Sequence, residues 1–174
     1  MPSRLKALAP LVGRWREEIS FAGKTVRIPT AFEWLDGDGG FLLWRTSSPD
    51  PFPSSVSAIG EDGESFAMHY FDTRGVYRLY RMTLRGRQWR IWRNHPAFSQ
   101  RMVGTISKDR KRIDARWEKN EDRKGWVVDF PITYRRVGRL TRSAARAGTK
   151  RTDLPVAPDS RRGRASHPSP RTAG

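Results

Sequence analysis

The sequence predicts an all-β protein: a closed, up-and-down antiparallel β-barrel of about ten strands, with a short N-terminal helical turn and a disordered basic tail. First, apolar and polar residues alternate over short runs bounded by Gly, Pro, Asp or Asn, which is typical of half-buried strands. Second, most links between these runs are short enough for hairpins. Third, all seven Trp, eight Phe and four Tyr lie before residue 138. A long meander favours closure, because closure removes its unpaired edges.

The N-terminal element is a helical turn. Leu5, Leu8 and Leu11 have helical spacing, and Pro10 limits the helix to a turn or two. Links such as Ala22-Gly23-Lys24 carry the residues of tight turns. The strands expected after this element are 14–21, 26–34, 40–47, 54–60, 65–72, 75–84, 87–94, 99–107, 111–118 and 125–137.

The period of two along a strand predicts which side chains face the barrel interior. Strands three and seven leave this choice open, because Trp44 and Trp92 lie on the faces opposite to Leu43 and Ile91. The predicted inward residues of the other informative strands are Trp15, Glu17, Ile19 and Phe21; Ile28, Thr30, Phe32 and Trp34; Phe66, Met68 and Tyr70; Val76, Arg78, Tyr80, Met82 and Leu84; Ile113, Ala115 and Trp117; and Trp126, Val128, Phe130, Ile132, Tyr134 and Arg136.

The last part of the chain has a different composition. Residues 138–174 hold nine Lys or Arg and two Asp, a net charge of +7 within the +16 of the whole chain, and no aromatic residue. Such a segment lacks the apolar surface to form a core. We therefore expect a single barrel domain over residues 1–137 and a disordered tail over 138–174, which would bind polyanions weakly and without sequence preference.

The composition and the motifs exclude several kinds of functional site. The chain has no cysteine, which excludes disulfides and thiol nucleophiles, and its start has no apolar run typical of a signal peptide. No catalytic motif is present, so a binding protein is favoured over an enzyme. His69 and His95 are too far apart in the pattern to make a metal site. We expect a cytoplasmic protein with no metal and no cofactor; the sequence leaves its oligomeric state open.

Two short motifs at the ends of the meander belong together. Gly13-x-Trp15 begins the first strand, and Arg136 shares the inward parity of Tyr134 in the last strand. The first and last strands of a closed barrel are neighbours, so the Arg136 guanidinium could stack on the Trp15 ring. This pairing resembles the structural signature of the calycin superfamily, which includes the lipocalins and fatty-acid-binding proteins.

A second set of residues carries a longer likeness: Met68-His69-Tyr70-Phe71-Asp72-x-Arg74-Gly75-Val76, Trp89, Trp92-Arg93, Phe98-Ser99-Gln100-Arg101, Gly104, Arg116-Trp117-Glu118 and Trp126. With these residues the chain resembles an uncharacterised, lipocalin-like bacterial family of unknown function. The resemblance covers roughly residues 5–137, leaves out the tail and implies a fold without an activity. The link between the first two strands is only about Ala22 to Thr25, so the helical lid of fatty-acid-binding proteins has no counterpart here.

The leading functional hypothesis is an interior pocket for a small hydrophobic or anionic molecule. Strand parity places polar side chains among apolar neighbours, and Arg78-Leu79-Tyr80 offers donors for an anion. The alternative is a packed barrel in which Glu17 and Arg78 form an internal ion pair. The candidate ligand-binding residues are Glu17, Trp44, Tyr70, Arg78, Tyr80, Trp92 and Gln100.

A second hypothesis is a nucleic-acid-associated protein that uses a basic aromatic face together with the basic tail. Basic and aromatic residues alternate in one stretch, as they do on surfaces that stack bases and neutralise phosphates. Barrel strands that alternate core aromatics with solvated charges produce the same pattern. The residues concerned are Arg85, Arg87, Trp89, Arg90, Trp92, Arg93 and Arg101.

Overall fold

The computed structural model describes residues 4–21, 23–35 and 40–138. Over these residues the chain forms a closed barrel of ten antiparallel strands with a short 3₁₀ helix before the first, which confirms the predicted fold class. The tail expected at 138–174 lies outside the described residues except for Gly138. No helix in the described part of the chain is long and apolar enough to cross a membrane.

The strands follow one another around the barrel in chain order, and each pairs with its sequence neighbours. The 3₁₀ helix spans Arg4–Leu8, and the strands are β1 (Gly13–Phe21), β2 (Lys24–Trp34), β3 (Leu42–Thr46), β4 (Ser55–Asp62), β5 (Ser65–Asp72), β6 (Tyr77–Arg85), β7 (Gln88–Arg93), β8 (Phe98–Ile106), β9 (Arg112–Glu121) and β10 (Val127–Gly138).

The barrel closes where β1 pairs with β10, and Trp15 lies opposite Arg136 in this pairing. The Arg136 guanidinium lies 4.1 Å from the centre of the Trp15 ring. It also donates hydrogen bonds to the carbonyls of Pro10 (2.6 Å), Val12 (2.7 Å) and Arg110 (2.8 Å). The stacking expected between the two ends of the meander is therefore confirmed.

Gly13 is required at this junction for two reasons. Its φ of +140° is a backbone conformation that other residues rarely adopt. A Cβ at this position would also lie only 2.5 Å from Nη1 of Arg136. Any larger residue would displace the guanidinium from the closure.

The 3₁₀ helix covers the end of the barrel at which Trp15 and Arg136 meet. Leu5, Leu8 and the following Leu11 are buried in the core. The Leu5 N–H donates to the Glu61 carboxylate (3.2 Å), which holds the helix against the end of β4. The Trp15 indole donates to the Leu11 carbonyl (2.6 Å). We call this end of the barrel the closed end.

Above the closed end, aromatic rings fill the barrel interior. Phe32 stacks on Trp44 with ring centres 5.0 Å apart, and Trp44 and Trp89 are 5.4 Å apart. Tyr134 packs against Trp89 at 5.6 Å. All four side chains are buried, so they separate the closed end from the other half of the interior.

The structure resolves the two strands whose inward face the sequence left open. In β3, Trp44 and Leu42 are buried in the core. In β7, Trp89 and Ile91 are buried, and Trp92 lies on the outer face, paired with Arg81 of β6. Trp92 is thus excluded from the barrel interior.

Near the start of β10 the predicted inward face is wrong. Val128 pairs with Glu118 and Phe130 with Trp117, so Asp129 is an extra residue that forms a β-bulge. The bulge reverses the parity, and Val128 is 57% exposed. Trp126 precedes β10 and lies outside the barrel, where the Arg101 guanidinium stacks 4.2 Å from its ring centre. Val76 likewise lies in the turn before β6.

Because Trp15 lies at the closure of the barrel and Trp126 lies outside it, truncating the two residues should lower the free energy of unfolding by different amounts. Trp15→Ala should lower the free energy of unfolding by about 3–5 kcal/mol, because it empties a buried site and removes the surface on which Arg136 stacks. Trp126→Ala, on the outside, should cost less than about 1 kcal/mol. Urea unfolding measures both. Equal losses in the two variants would contradict the role assigned to Trp15.

Candidate functional site

A cavity of about 460 Å³ occupies the half of the barrel interior opposite the closed end. Its walls are the strand segments farthest from the 3₁₀ helix, and it extends to the β3–β4 loop at Phe52 and the β5–β6 turn at Arg74. A volume of this size falls within the range of small-molecule pockets. Apolar and polar side chains both line it, and they lie at different depths.

The base of the cavity consists of Glu17, Trp44 and Tyr134. Glu17 pairs directly with Tyr134 across β1 and β10, and both are buried. The Thr30 hydroxyl donates a 2.8 Å hydrogen bond to the Glu17 carboxyl. Burial raises the pKa of Glu17 to about 7, although the Thr30 hydroxyl and the Trp44 N–H act to lower it. A buried carboxyl near half-protonation at neutral pH therefore lies beneath the cavity.

Three buried polar atoms lack hydrogen-bond partners among the described residues, and two of them are at the base: Nε1 of Trp44 and the hydroxyl oxygen of Tyr134. The third, Nε1 of Trp89, does not line the cavity. The Trp44 N–H faces Glu17 and the Trp117 indole faces the Tyr134 hydroxyl, but neither contact has the geometry of a full hydrogen bond. Each unpartnered buried group costs about 1–3 kcal/mol. Because Trp44 and Tyr134 line the cavity, a group inside it could accept from these donors.

The middle of the cavity is apolar. Ile19 and Ile132 come from the paired strands β1 and β10, Ile28 comes from β2, and Met68 comes from β5 on the opposite wall. Phe130 extends this surface toward the solvent-facing end. Such a wall favours an apolar molecule or segment, because burial removes its surface from water at about 25 cal/mol per Å².

The mouth of the cavity, formed by Arg74, Arg78, Gln100, Lys119 and Asp129, carries charged and polar side chains. Asp129 accepts from the Gln100 amide (3.3 Å), and its other oxygen lies 3.8 Å from Nζ of Lys119. Gln100 in turn accepts a 2.7 Å hydrogen bond from the Tyr80 hydroxyl. These contacts fix the mouth side chains to one another.

Arg78 differs from the other cations of the mouth. Its guanidinium lies 4.5 Å from the centre of the Phe98 ring, and it donates only a long 3.5 Å hydrogen bond to the Tyr80 hydroxyl. Among the described residues it makes no ion pair, whereas Arg74 pairs with Asp72 at 2.6 Å. Arg78 is therefore the cation of the mouth with charge available to a ligand.

Asp72 organises the opposite rim. It accepts from the Tyr70 hydroxyl (2.9 Å) and from the backbone N–H of Arg74 (2.9 Å). Burial alone would raise the pKa of Asp72, but the hydrogen bonds from Arg74, Tyr70 and the Val76 N–H lower it to about 2. Burial, with the neighbouring Asp72, raises the pKa of Tyr70. Tyr70 therefore remains a neutral hydroxyl that faces the cavity.

Six of the seven residues chosen from the sequence line this cavity: Glu17, Trp44, Tyr70, Arg78, Tyr80 and Gln100. The seventh, Trp92, is a correction, because it lies on the outer face of β7. The internal Glu17–Arg78 ion pair is not formed, since Glu17 lies at the base and Arg78 at the mouth.

Tyr134 and Asp129 also line the cavity, although the sequence did not predict them as ligand-binding residues. Parity did place Tyr134 inward, but nothing in the sequence distinguished its hydroxyl from those of the partnered tyrosines. Asp129 reaches the mouth only because of the bulge in β10. Alternation in the sequence gives no signal for that bulge.

A second concavity, of about 670 Å³, lies on the outer face of β6 to β9. We call it the outer groove, and its charged and aromatic lining consists of Arg85, Arg90, Trp92, Arg101, Arg116 and Glu118. The predicted basic aromatic stretch is thus divided: Trp89 is buried inside, whereas Arg85, Arg90, Trp92 and Arg101 meet outside. Arg87 and Arg93 hydrogen-bond to backbone carbonyls instead.

The histidines of the barrel make local contacts. His69 lies on the outer face and its Nδ1 is 3.1 Å from the Tyr77 hydroxyl, and His95 hydrogen-bonds within its own turn. In the described part of the chain, no three His, Asp or Glu side chains are grouped so that they could hold a metal ion.

No protein-family model matches this chain, and no curated protein matches it significantly. A ten-stranded barrel does not by itself identify the calycins. The calycin relationship therefore stays a prediction from the sequence positions of Gly13, Trp15 and Arg136.

The raised pKa of Glu17 predicts a pH dependence of stability. The ordinary value is 4.5 and the folded value about 7, so the folded state binds this proton more tightly than the unfolded chain does. Its stabilising contribution is complete below about pH 4.5 and is lost as the pH rises through about 7. The loss should be on the order of 3 kcal/mol.

Glu17→Gln should remove this dependence, because the amide stays neutral. The variant should match the parent near pH 4 and exceed its stability at about pH 8, as measured by urea unfolding across that range. Glu64→Gln makes the same change at an exposed position and should keep the parental profile. Parallel profiles for Glu17→Gln and the parent would show that Glu17 is not the titrating group.

Proposed function

We propose that the barrel binds an amphipathic small acid, with its apolar body in the cavity, its anionic group at the mouth and a neutral hydrogen-bond acceptor at the base. The observation that carries this proposal is the pair of buried donors at the base, on Trp44 and Tyr134, that lack acceptors. Of the three buried atoms without partners, these are the two that line the cavity, so a group inside it could satisfy them.

The acceptor at the base is neutral because of Glu17. A carboxylate or phosphate placed there would lie beside a buried carboxyl whose own charge is already opposed by burial. A hydroxyl, ether or carbonyl oxygen would avoid this repulsion and could accept from the Trp44 N–H or the Tyr134 O–H. The ligand therefore carries its charge elsewhere.

The anionic group belongs at Arg78. This guanidinium lines the cavity, lies over Phe98 and makes no ion pair with a described residue. The neighbouring Tyr80 hydroxyl already donates to Gln100, so it orients the mouth rather than supplying a second donor. A carboxylate accepting from Arg78 would gain a charge-assisted hydrogen bond.

A ligand series tests both ends of the cavity. Dodecanoate has the anion and the apolar body, dodecanol lacks the anion, and ω-hydroxydodecanoate adds an acceptor at the far end. We expect ω-hydroxydodecanoate to bind most tightly, because it alone has both the anion and the acceptor. Tryptophan fluorescence measures the binding, since Trp44 lies in the cavity wall. Absence of saturable binding by any of the three probes would contradict the proposal.

Arg78→Met should weaken the two acids about tenfold or more and leave dodecanol unchanged, because it removes one charge-assisted hydrogen bond. Arg81→Met is the matched control: it lies on the same strand but on the outer face. Equal losses for both variants would mean that general charge, and not the mouth, attracts the acids.

Tyr134→Phe separates ligand binding from stability. Removing a hydroxyl without a partner should leave the free energy of unfolding unchanged or raise it. It should also reduce the preference for ω-hydroxydodecanoate over dodecanoate about fivefold. Urea unfolding and the same titrations measure the two effects. A destabilised variant with unchanged preference would show that the hydroxyl is structural.

A further inference from the structure

The outer groove brings together arginines from four strands: Arg85 of β6, Arg90 of β7, Arg101 of β8 and Arg116 of β9. Glu118 pairs with Arg101 (2.5 Å) and Arg116 (2.6 Å) and so fixes two of the guanidiniums. Among the described residues, neither Arg85 nor Arg90 makes an ion pair. The groove therefore keeps a net positive charge, with two arginines available to an anion.

Trp92 lies within this cationic groove. In the cross-strand pairing it stands between Arg81 of β6 and Arg101 of β8, so one row of the outer face reads arginine, tryptophan, arginine. Arg81 also reaches Asp62 at 3.4 Å. Trp92 is half-buried and lines the groove between strands that carry these arginines.

An exposed aromatic patch continues the same outer face toward the far end of the barrel. Tyr77 and Phe71 are paired across β5 and β6 and are 54% and 46% exposed. Their ring centres are 5.1 Å apart, and His69 stacks on Tyr77 at 6.2 Å. A contiguous exposed apolar patch often marks a site of interaction. Along β6, the exposed Leu79 and Arg81 lie between the patch and the residues of the outer groove.

We propose that this outer face binds single-stranded nucleic acid. The arginines of the groove would contact consecutive phosphates, and Trp92 and the Tyr77–Phe71 patch would stack on unpaired bases. Combined cationic and aromatic surfaces are the recurring means of holding single strands without sequence preference. A duplex hides its base faces and an acidic peptide has none, so neither would use the aromatic residues.

The test is fluorescence anisotropy of full-length protein with a labelled oligothymidylate of about 12 nucleotides, at two salt concentrations. Trp92→Ala should weaken binding at least about fivefold with little change in the salt dependence, because stacking involves no phosphate. Trp92→Tyr should restore most of the affinity. Urea midpoints of both variants distinguish lost stacking from lost folding.

The charge contribution needs its own matched pair. The double variant Arg85→Ala/Arg90→Ala should make the slope of log affinity against log salt less steep by about 1.4. This is the change expected when two phosphate contacts on a single strand are lost. Arg14→Ala with Arg27→Ala removes two exposed arginines from β1 and β2 and should leave the slope nearly unchanged. The basic segment after residue 138 is present in every variant, so its contribution to the slope is the same background in both arginine pairs.

Equal losses for the two arginine pairs would overturn the proposal, since they would indicate general electrostatic attraction. So would a Trp92→Ala variant that binds as tightly as the parent. Binding of polyglutamate or a hairpin duplex as tightly as oligothymidylate would likewise exclude a surface that reads unpaired bases. Preference for oligothymidylate over both competitors, lost in Trp92→Ala, would establish it.

Discussion

The cavity and the outer groove of this barrel both depend on the contact of the Arg136 guanidinium with the N-terminal segment around Trp15. Arg136 stacks on Trp15 and donates to carbonyls at Pro10, Val12 and Arg110, so it links the N-terminal segment, the last strand and the turn between β8 and β9. Without closure, β1 and β10 would each expose a row of unpaired backbone groups. Closure also gives every strand a defined inner face.

The cavity follows from a change in side-chain size along that inner face. Toward the closed end the interior contains large rings such as Trp89 and Phe32, both fully buried. Toward the mouth, β3 and β4 contribute Thr46, Ser55 and Ser57. These small side chains cannot fill the space between the walls. The sequence's many tryptophans could have closed the interior, but Trp92 and Trp126 are outside it.

Alternation in the sequence was sufficient to predict the barrel and most inward residues, because the strands are joined by short turns and keep a regular register. It failed where the pattern is interrupted or ambiguous: the bulge at Asp129 exposed Val128, and β3 and β7 carry large apolar residues on both faces. The inward or outward parity of a residue also does not predict how deep its side chain lies in the barrel interior. Glu17 and Arg78 both face inward, but the register separates them into base and mouth.

The two hypotheses drawn from the sequence are compatible, because they use opposite faces of the same strands. In β8, Gln100 lines the cavity, whereas Arg101 lines the outer groove. In β6, Tyr80 is buried, whereas Arg81 lies on the outer face. Successive side chains on a strand point to opposite sides. The alternation of residues along these strands therefore specifies a cavity on the inner face and a cationic surface on the outer face. Each face can be altered by substitutions that leave the other intact.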